Sequence, residues 1–236
     1  ANMKPEIQAY MQKMFAQPEH KIMPALNSIP GNPLMVYAGQ HLDLSFDNPF
    51  MEAALKLDSS TDDFDWNEIL DGVKEIMNID LREDIQPFLD GRYGLIAFES
   101  ELAEKQAIGG VMMLGIKEGK GQEFEERFTS NFSIDLAEML GEPDSEDLGV
   151  MSFKASETYN GTQLYSLDGI PDLDDEDLKA MKEWFQPVLA RKDHMLMIAH
   201  HPDAMKAFID GNQSKGNDFQ DLMKQTNTEE AAGYFF

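Results

Sequence analysis

Five carboxylates fall within six positions, at Asp172, Asp174, Asp175, Glu176 and Asp177. Calcium takes about six to eight oxygen ligands, so a carboxylate-dense loop is one way to hold it. The EF-hand pattern needs alternating acids, a central glycine and a later glutamate. Here no glycine falls among the acids. The same residues, following Pro171, also fit the first turn of a helix. There each carboxylate offsets the partial positive helix end by about 0.3–1 kcal/mol. Asp62, Asp63 and Asp65 stand in the same relation to the helix that contains Trp66.

Histidine is the next source of chemistry, at His20, His41, His194, His200 and His201. Imidazole with thioether can bind copper, and Met195 and Met197 lie close by in sequence. A strand over 194–201 alternates its faces, so His200 and His201 point apart. That spacing favours a polar strand end before Pro202. Gly115-Ile116-Lys117-Glu118-Gly119-Lys120-Gly121 follows a strand and precedes a helix, the position at which backbone amides hold phosphate. Its spacing is not that of a Walker A loop, and Glu118, Glu123 and Glu125 would repel an anion. A plain strand-to-helix turn is the simpler role. No Gly-x-Ser-x-Gly elbow and no Ser-x-x-Lys occurs. No catalytic constellation and no cofactor motif is assigned. Asn131, Asn160 and Asn212 open glycosylation-type triplets, which have meaning only in a eukaryotic secreted context.

Composition narrows the classes further. The chain has 236 residues, with 19 Lys and Arg against 44 Asp and Glu, a formal charge of −25. Nucleic-acid binding needs clustered cations, and so does docking on an anionic bilayer; this charge argues against both. Cysteine is absent, which removes disulfides, thiolate nucleophiles and cysteine metal sites together. The 16 methionines are scattered and read as flexible core filler. No run approaches the ~20 apolar residues of a spanning helix.

The elements that must position these residues are read from periodicity. Residues 3–16 carry apolar side chains at helical spacing and form an amphipathic helix. Pro18, Pro24, Pro30 and Pro33 then mark a linker. Leu34–Ala38 reads as a buried strand, 49–57 as a helix, and 65–77 as a helix with Leu70, Val73 and Met77 on its apolar face. A short helix starts at Ile79 and closes at Gly91. Tyr93–Phe98 and Ala107–Ile116 pair as antiparallel strands. Glu118–Phe128 is helical, and Ile134–Leu140 more weakly so. Asn160-Gly161 joins the strands 151–159 and 162–167 in a tight hairpin. The acid-led helix runs from 171 to about 190, with Pro187 kinking it or starting another. A strand over 194–200, a helix over 202–209 closed by Gly211, and a helix near 217–225 complete the reading. Strand–helix units recur at 111–128 and 195–209, and Asn78-Ile79-Asp80-Leu81 echoes Ser133-Ile134-Asp135-Leu136; both suggest a duplication.

These motifs, in order, are Ile79-Asp80-Leu81-Arg82-Glu83-Asp84-Ile85, then Tyr159-Asn160-Gly161-Thr162-Gln163-Leu164-Tyr165, then Met195–Ala199 with Ala204–Gly211. Their order and content over residues 28–212 resemble a bacterial family catalogued as domain of unknown function 3352. The family glycine before Ile-Asp is Asn78 here, and the aliphatic before the second tyrosine is Leu164. The resemblance implies an exported or membrane-tethered bacterial protein, hence an extracytoplasmic location in the periplasm or at the cell surface. It implies no activity and no catalytic residues. The family motifs read as structural, with Asp80 and Asp84 near a helix start and Gly161 in a turn.

The expectation is an α+β protein, a largely antiparallel sheet with helices packed on it, preceded by an N-terminal amphipathic helix. Residues 1–24 form that helix and linker, from a preceding module. Residues 25–236 form the α+β domain, cut short at a closing aromatic run, Tyr234-Phe235-Phe236, that reads as an interrupted strand. The leading functional expectation is a non-enzymatic binding or assembly module with a protein partner, no nucleic acid and no cofactor. Two alternatives stay open: a hydrolase whose acids converge only in the fold, and a divalent-cation-binding domain built on Asp172, Asp174, Asp175, Glu176 and Asp177.

Overall fold

Period-two runs of Val, Ile, Leu and Met make the strands, and hydrogen bonding gathers them into one sheet. The computed structural model describes residues 29, 33–39, 66–102, 105–139, 149–169, 184–211 and 233–235, with positions 5 and 8. Apart from positions 5 and 8, the expected helix over 3–16 lies outside the described residues, as do those over 49–57 and 217–225 and the acids at 172–177.

Among the described residues nine strands form a single sheet: β1 (Pro33–Gly39), β2 (Leu89–Leu102), β3 (Lys105–Ile116), β4 (Ser133–Asp135), β5 (Val150–Tyr159), β6 (Thr162–Asp168), β7 (Val188–Lys192), β8 (Met195–Ala199) and β9 (Gly233–Phe235). Their order is β4-β5-β6-β7-β8-β3-β2-β1-β9, and each neighbouring pair is antiparallel. The helices are α1 (Trp66–Met77), α2 (Gly121–Asn131), the single turn α3 (Leu136–Met139) and α4 (Pro202–Asp210). The class is α+β, as the alternation of hairpins and helices predicts.

Several elements match their sequence signals. The hairpin β5–β6 turns at Asn160 and Gly161, with φ of 44° and 78°, the two positive values a type I′ turn requires. β2 and β3 pair in register from Tyr93↔Leu114 to Leu102↔Lys105. α4 starts at Pro202 and ends at Gly211, whose φ is 36°. The aromatic run near the chain end places β9 beside β1, with Tyr37 opposite Phe235.

Other expectations are corrected. β1 is not buried on both faces: Val36 and Ala38 are, while Leu34 and Tyr37 are about half exposed. Residues 188–192 are strand β7, not the end of a helix, and Pro187 precedes that strand. Val188, Leu189 and Ala190 are buried on alternating sides, and a short apolar run carries no periodicity that tells strand from helix. Residues 133–135 form a strand before the turn α3. Gly91 does not close a helix. It sits in β2 with φ of 95°, inside a bulge between the pairs Leu89↔Ile116 and Tyr93↔Leu114. The bulge sets Asp90 and Arg92 over Gly115, where they form a buried ion pair at 2.6 Å. Arg92 also donates to the His194 carbonyl at 3.1 Å.

Two apolar clusters use opposite faces of the sheet. In β8, Met195, Met197 and Ala199 join one cluster and Leu196 joins the other, as strand alternation demands. The first cluster is closed by Ala204, Met205 and Phe208 of α4 and by Ile29. The second is closed by Phe124 and Phe128 of α2, four residues apart, with Phe88 and Ile79. The strand–helix units β3–α2 and β8–α4 do recur, and β3 and β8 are antiparallel neighbours. Their helices nonetheless cover opposite faces. A two-fold axis between antiparallel neighbours is normal to the sheet and keeps faces, so no such axis relates the two units.

Between α1 and β2 the chain makes a single wide π turn over Leu81–Ile85, closed by the Gln86 amide on the Leu81 carbonyl. The Asp80 side chain accepts from the Arg82 and Glu83 amides, at 2.9 and 3.1 Å. Asp84 reaches back to accept from the Asp80 amide at 2.8 Å. This reciprocal arrangement satisfies amides that a helix start leaves open. Lys74 sits 2.9 Å from Asp80 and holds its carboxyl below the usual range, with backbone donors adding to the effect and burial opposing it.

Candidate functional site

The acids at 172–177 and at 62, 63 and 65 lie outside the described residues; titratable side chains that are described serve the structure. Three buried or half-buried acids each face an arginine. Asp84 pairs with Arg127 at 3.0 Å, Asp90 with Arg92, and Glu125 with Arg191 at 2.5 Å. Glu125 also accepts from the Tyr165 hydroxyl at 2.6 Å. Burial and that carboxylate push the Tyr165 phenol up to about 12. The Asp84–Arg127 pair ties α2 to the π turn, and the bonds of Glu125 tie it to β6 and β7; the Asp90–Arg92 pair lies within β2. No group of three or more metal-ligating side chains occurs among the described residues. The glycine-rich stretch 115–121 is a strand-to-helix turn, and a Cβ at Gly121 would stand 3.1 Å from the Arg191 side chain.

His20 and His41 lie outside the described residues, and His200 and His201 have local roles. His200 Nδ1 lies 3.2 Å from the Gly110 amide and 3.3 Å from its carbonyl. His201 is buried and caps α4, its Nδ1 accepting from the Asp203 amide at 3.1 Å. Capping needs an unprotonated Nδ1. Burial holds His201 below the ordinary 6.5; the Asp203 carboxylate opposes this, and His200 and Lys206 reinforce it. Unfolded chains therefore take up the proton first as pH falls. Stability is full above about pH 6.5 and declines as pH drops through the unfolded value toward the depressed folded one. Urea midpoints between about pH 7.5 and pH 5.5 are expected to fall for the wild type and to lose most of that slope in His201→Asn, which keeps a capping acceptor without titrating. An unchanged slope would exclude His201 as its origin.

One region of the sheet lacks a described cover. α2 packs over β5–β8 on one face through Phe124 and Phe128, with Phe153, Leu189 and Leu196 beneath. On that same face the register aligns Tyr37, Leu95, Met112 and Ile198 in one row across β1, β2, β3 and β8. Burial fades along the row. Ile198 is half-buried, whereas Met112 is 39%, Leu95 46% and Tyr37 48% exposed. Ile108, four residues before Met112 and so on the same face, is 61% exposed. Tyr93 completes the surface, its ring 5.7 Å from that of Tyr37. Burial, then the Tyr37 hydroxyl, pushes Tyr93 up to about 12. Tyr93 can lie flat there because its neighbour across the strands is Gly39, where a Cβ would stand 2.7 Å from the ring.

Isolated exposed apolar residues are ordinary, but contiguous ones mark interaction sites. Tyr37, Leu95 and Met112 are direct cross-strand neighbours, within about 5 Å of one another along the row. No single segment of sequence contains this surface. Its local signal is only the alternation of each strand, and the register that joins the strands is a property of the fold. No family model, curated protein or solved structure matches the chain.

Proposed function

We propose that this chain is a non-enzymatic, extracytoplasmic bacterial binding or assembly module that docks a protein partner on the open face of β1–β3. The observation that carries the docking role is the half-exposed row Tyr37–Leu95–Met112, over which no described helix packs, on a sheet whose other half is sealed by α2. The location rests on the resemblance to the domain of unknown function 3352 family. Two structural details support that resemblance. Asn78, standing for the family glycine, has φ of 49°, a conformation natural to glycine and next most accessible to asparagine. Tyr159 and Asn160 of the hairpin motif both bond Asp210 of the Ile-Asp motif, at 2.6 and 2.5 Å, so two distant motifs form one clasp.

The test is capture of a partner from a bacterial envelope extract by the wild type and by Leu95→Asp/Met112→Asp. Val150→Asp, at another exposed apolar position, is the control. A partner retained by the control and lost from the double variant supports the docking face. A partner held equally by all three places the docking elsewhere and overturns the reading. Unchanged far-UV and thermal profiles establish that the double variant is folded.

A further inference from the structure

The open face, if it docks a partner as proposed above, also specifies what that partner presents. We infer that it takes an amphipathic helix with an apolar stripe at i, i+4 spacing and a cationic flank.

The helical form follows from the molecule's own use of this face. α2 lies on the adjoining half through Phe124 and Phe128, one helical turn apart. The open half continues the same apolar rows: Ile198 is shared between the covered side and the row Met112–Leu95–Tyr37. Methionine at its centre adapts to differing side chains.

The charge follows from the strands. Glu99 lies directly opposite Ile108, and Glu101 opposite Gln106, so both project on the face that carries Leu95. Both are exposed, and neither forms an ion pair among the described residues. β1, β2 and β3 contain only two basic residues, Arg92 and Lys105. Arg92 is buried against Asp90 on the opposite face, and Lys105 stands at the β2–β3 turn. The face thus carries apolar rows ending in two carboxylates that have no ion-pair partner among the described residues, in a chain of net charge −25. Complementary potential sets partner choice and association rate, so the missing cations belong to the partner. A second copy of this chain brings the same negative charge and is disfavoured.

The probe is a synthetic Leu/Lys amphipathic helix of about five turns, compared with a Leu/Glu helix of identical apolar pattern. Each is titrated into the isotope-labelled full chain and followed by amide chemical shifts. The expected result is saturable shifts at Tyr37, Leu95, Ile108, Met112 and Glu99 with the Leu/Lys peptide, weakening with salt, and at least about tenfold weaker binding of the Leu/Glu peptide. Glu99→Gln/Glu101→Gln is expected to flatten the salt dependence while leaving the shifts in place. Equal binding of the two peptides overturns the cationic requirement and leaves the docking face standing. Shifts confined to other acidic segments, such as residues 172–177, also overturn the inference. If neither peptide moves these residues and the face resists hydrogen exchange in the free chain, a segment of the chain itself covers it, and the docking reading falls too. The two-peptide comparison uses wild-type protein, so its outcome does not depend on any variant folding.

Discussion

Gly115→Ala is expected to destabilise the protein by about 3–5 kcal/mol, the range for breaking a buried ion pair. A Cβ at Gly115 would stand 2.7 Å from Arg92 Cβ and closer still to Asp90 Oδ1. The Arg92 Cβ is fixed to the backbone, so the contact cannot be relieved by turning a flexible tip. The pair would have to open, leaving Asp90 and Arg92, with side chains 10% and 7% exposed, without full compensation. The bulge at Gly91 that aims them would lose its anchor on the His194 carbonyl. Gly72→Ala in α1 supplies the contrast. Nothing lies within 4 Å of its would-be Cβ, and replacing glycine in a helix is expected to gain about 0.5–1 kcal/mol. Urea unfolding of both variants checks the pair, and comparable midpoints would sink the account of Gly115.

Asp84→Ala is the second large effect, expected to cost about 2–3 kcal/mol. Asp84 accepts from the Asp80 amide and pairs with Arg127 at 3.0 Å; Asn131 approaches it at 3.4 Å. Its removal leaves a half-buried amide without its acceptor and unpins α2 from the π turn. Arg127 is 43% exposed, so water recovers part of the lost pairing and holds the figure below that for a fully buried pair. Arg127 also lies over the Phe88 ring at 5.9 Å. Arg127→Ala should therefore lose packing as well as charge, and Asp84→Ala/Arg127→Ala should cost less than the sum of the two. Strict additivity in that cycle would show that the two side chains act independently.

Legibility in the sequence followed the range of the interaction. The hairpin at Asn160-Gly161 was readable because its turn chemistry and its alternation lie within the two strands it joins. The same holds for β2–β3 and for α4, whose proline start and glycine end are local. The sequence reads β7 as the end of a helix because Val188–Ala190 is a short apolar run buried on both sides, and burial on both sides comes from α2 and α4, not from its neighbours in sequence. Gly91 carried the correct conformation, positive φ, but in a bulge whose purpose, seating Asp90 and Arg92 over Gly115, depends on a strand more than twenty residues away. The open face was not visible at all. Tyr37, Leu95 and Met112 are each unremarkable within their own strands, and only the pairing of β1 with β2 and of β2 with β3 brings them into line.

That the two apolar clusters share one sheet as their common wall has a consequence for how the molecule opens. β3 gives Val111 and Met113 to one cluster and Ile116 to the other, and β8 divides its residues in the same way. Neither cluster can lose β3 or β8 without exposing the other, so the halves should melt in one cooperative transition. Amide protons of Val111–Gly115 and Met195–Ala199, which pair with each other at the centre of the sheet, should exchange only through global unfolding. Those of β4 and β9, at its two edges, should exchange by local fraying long before.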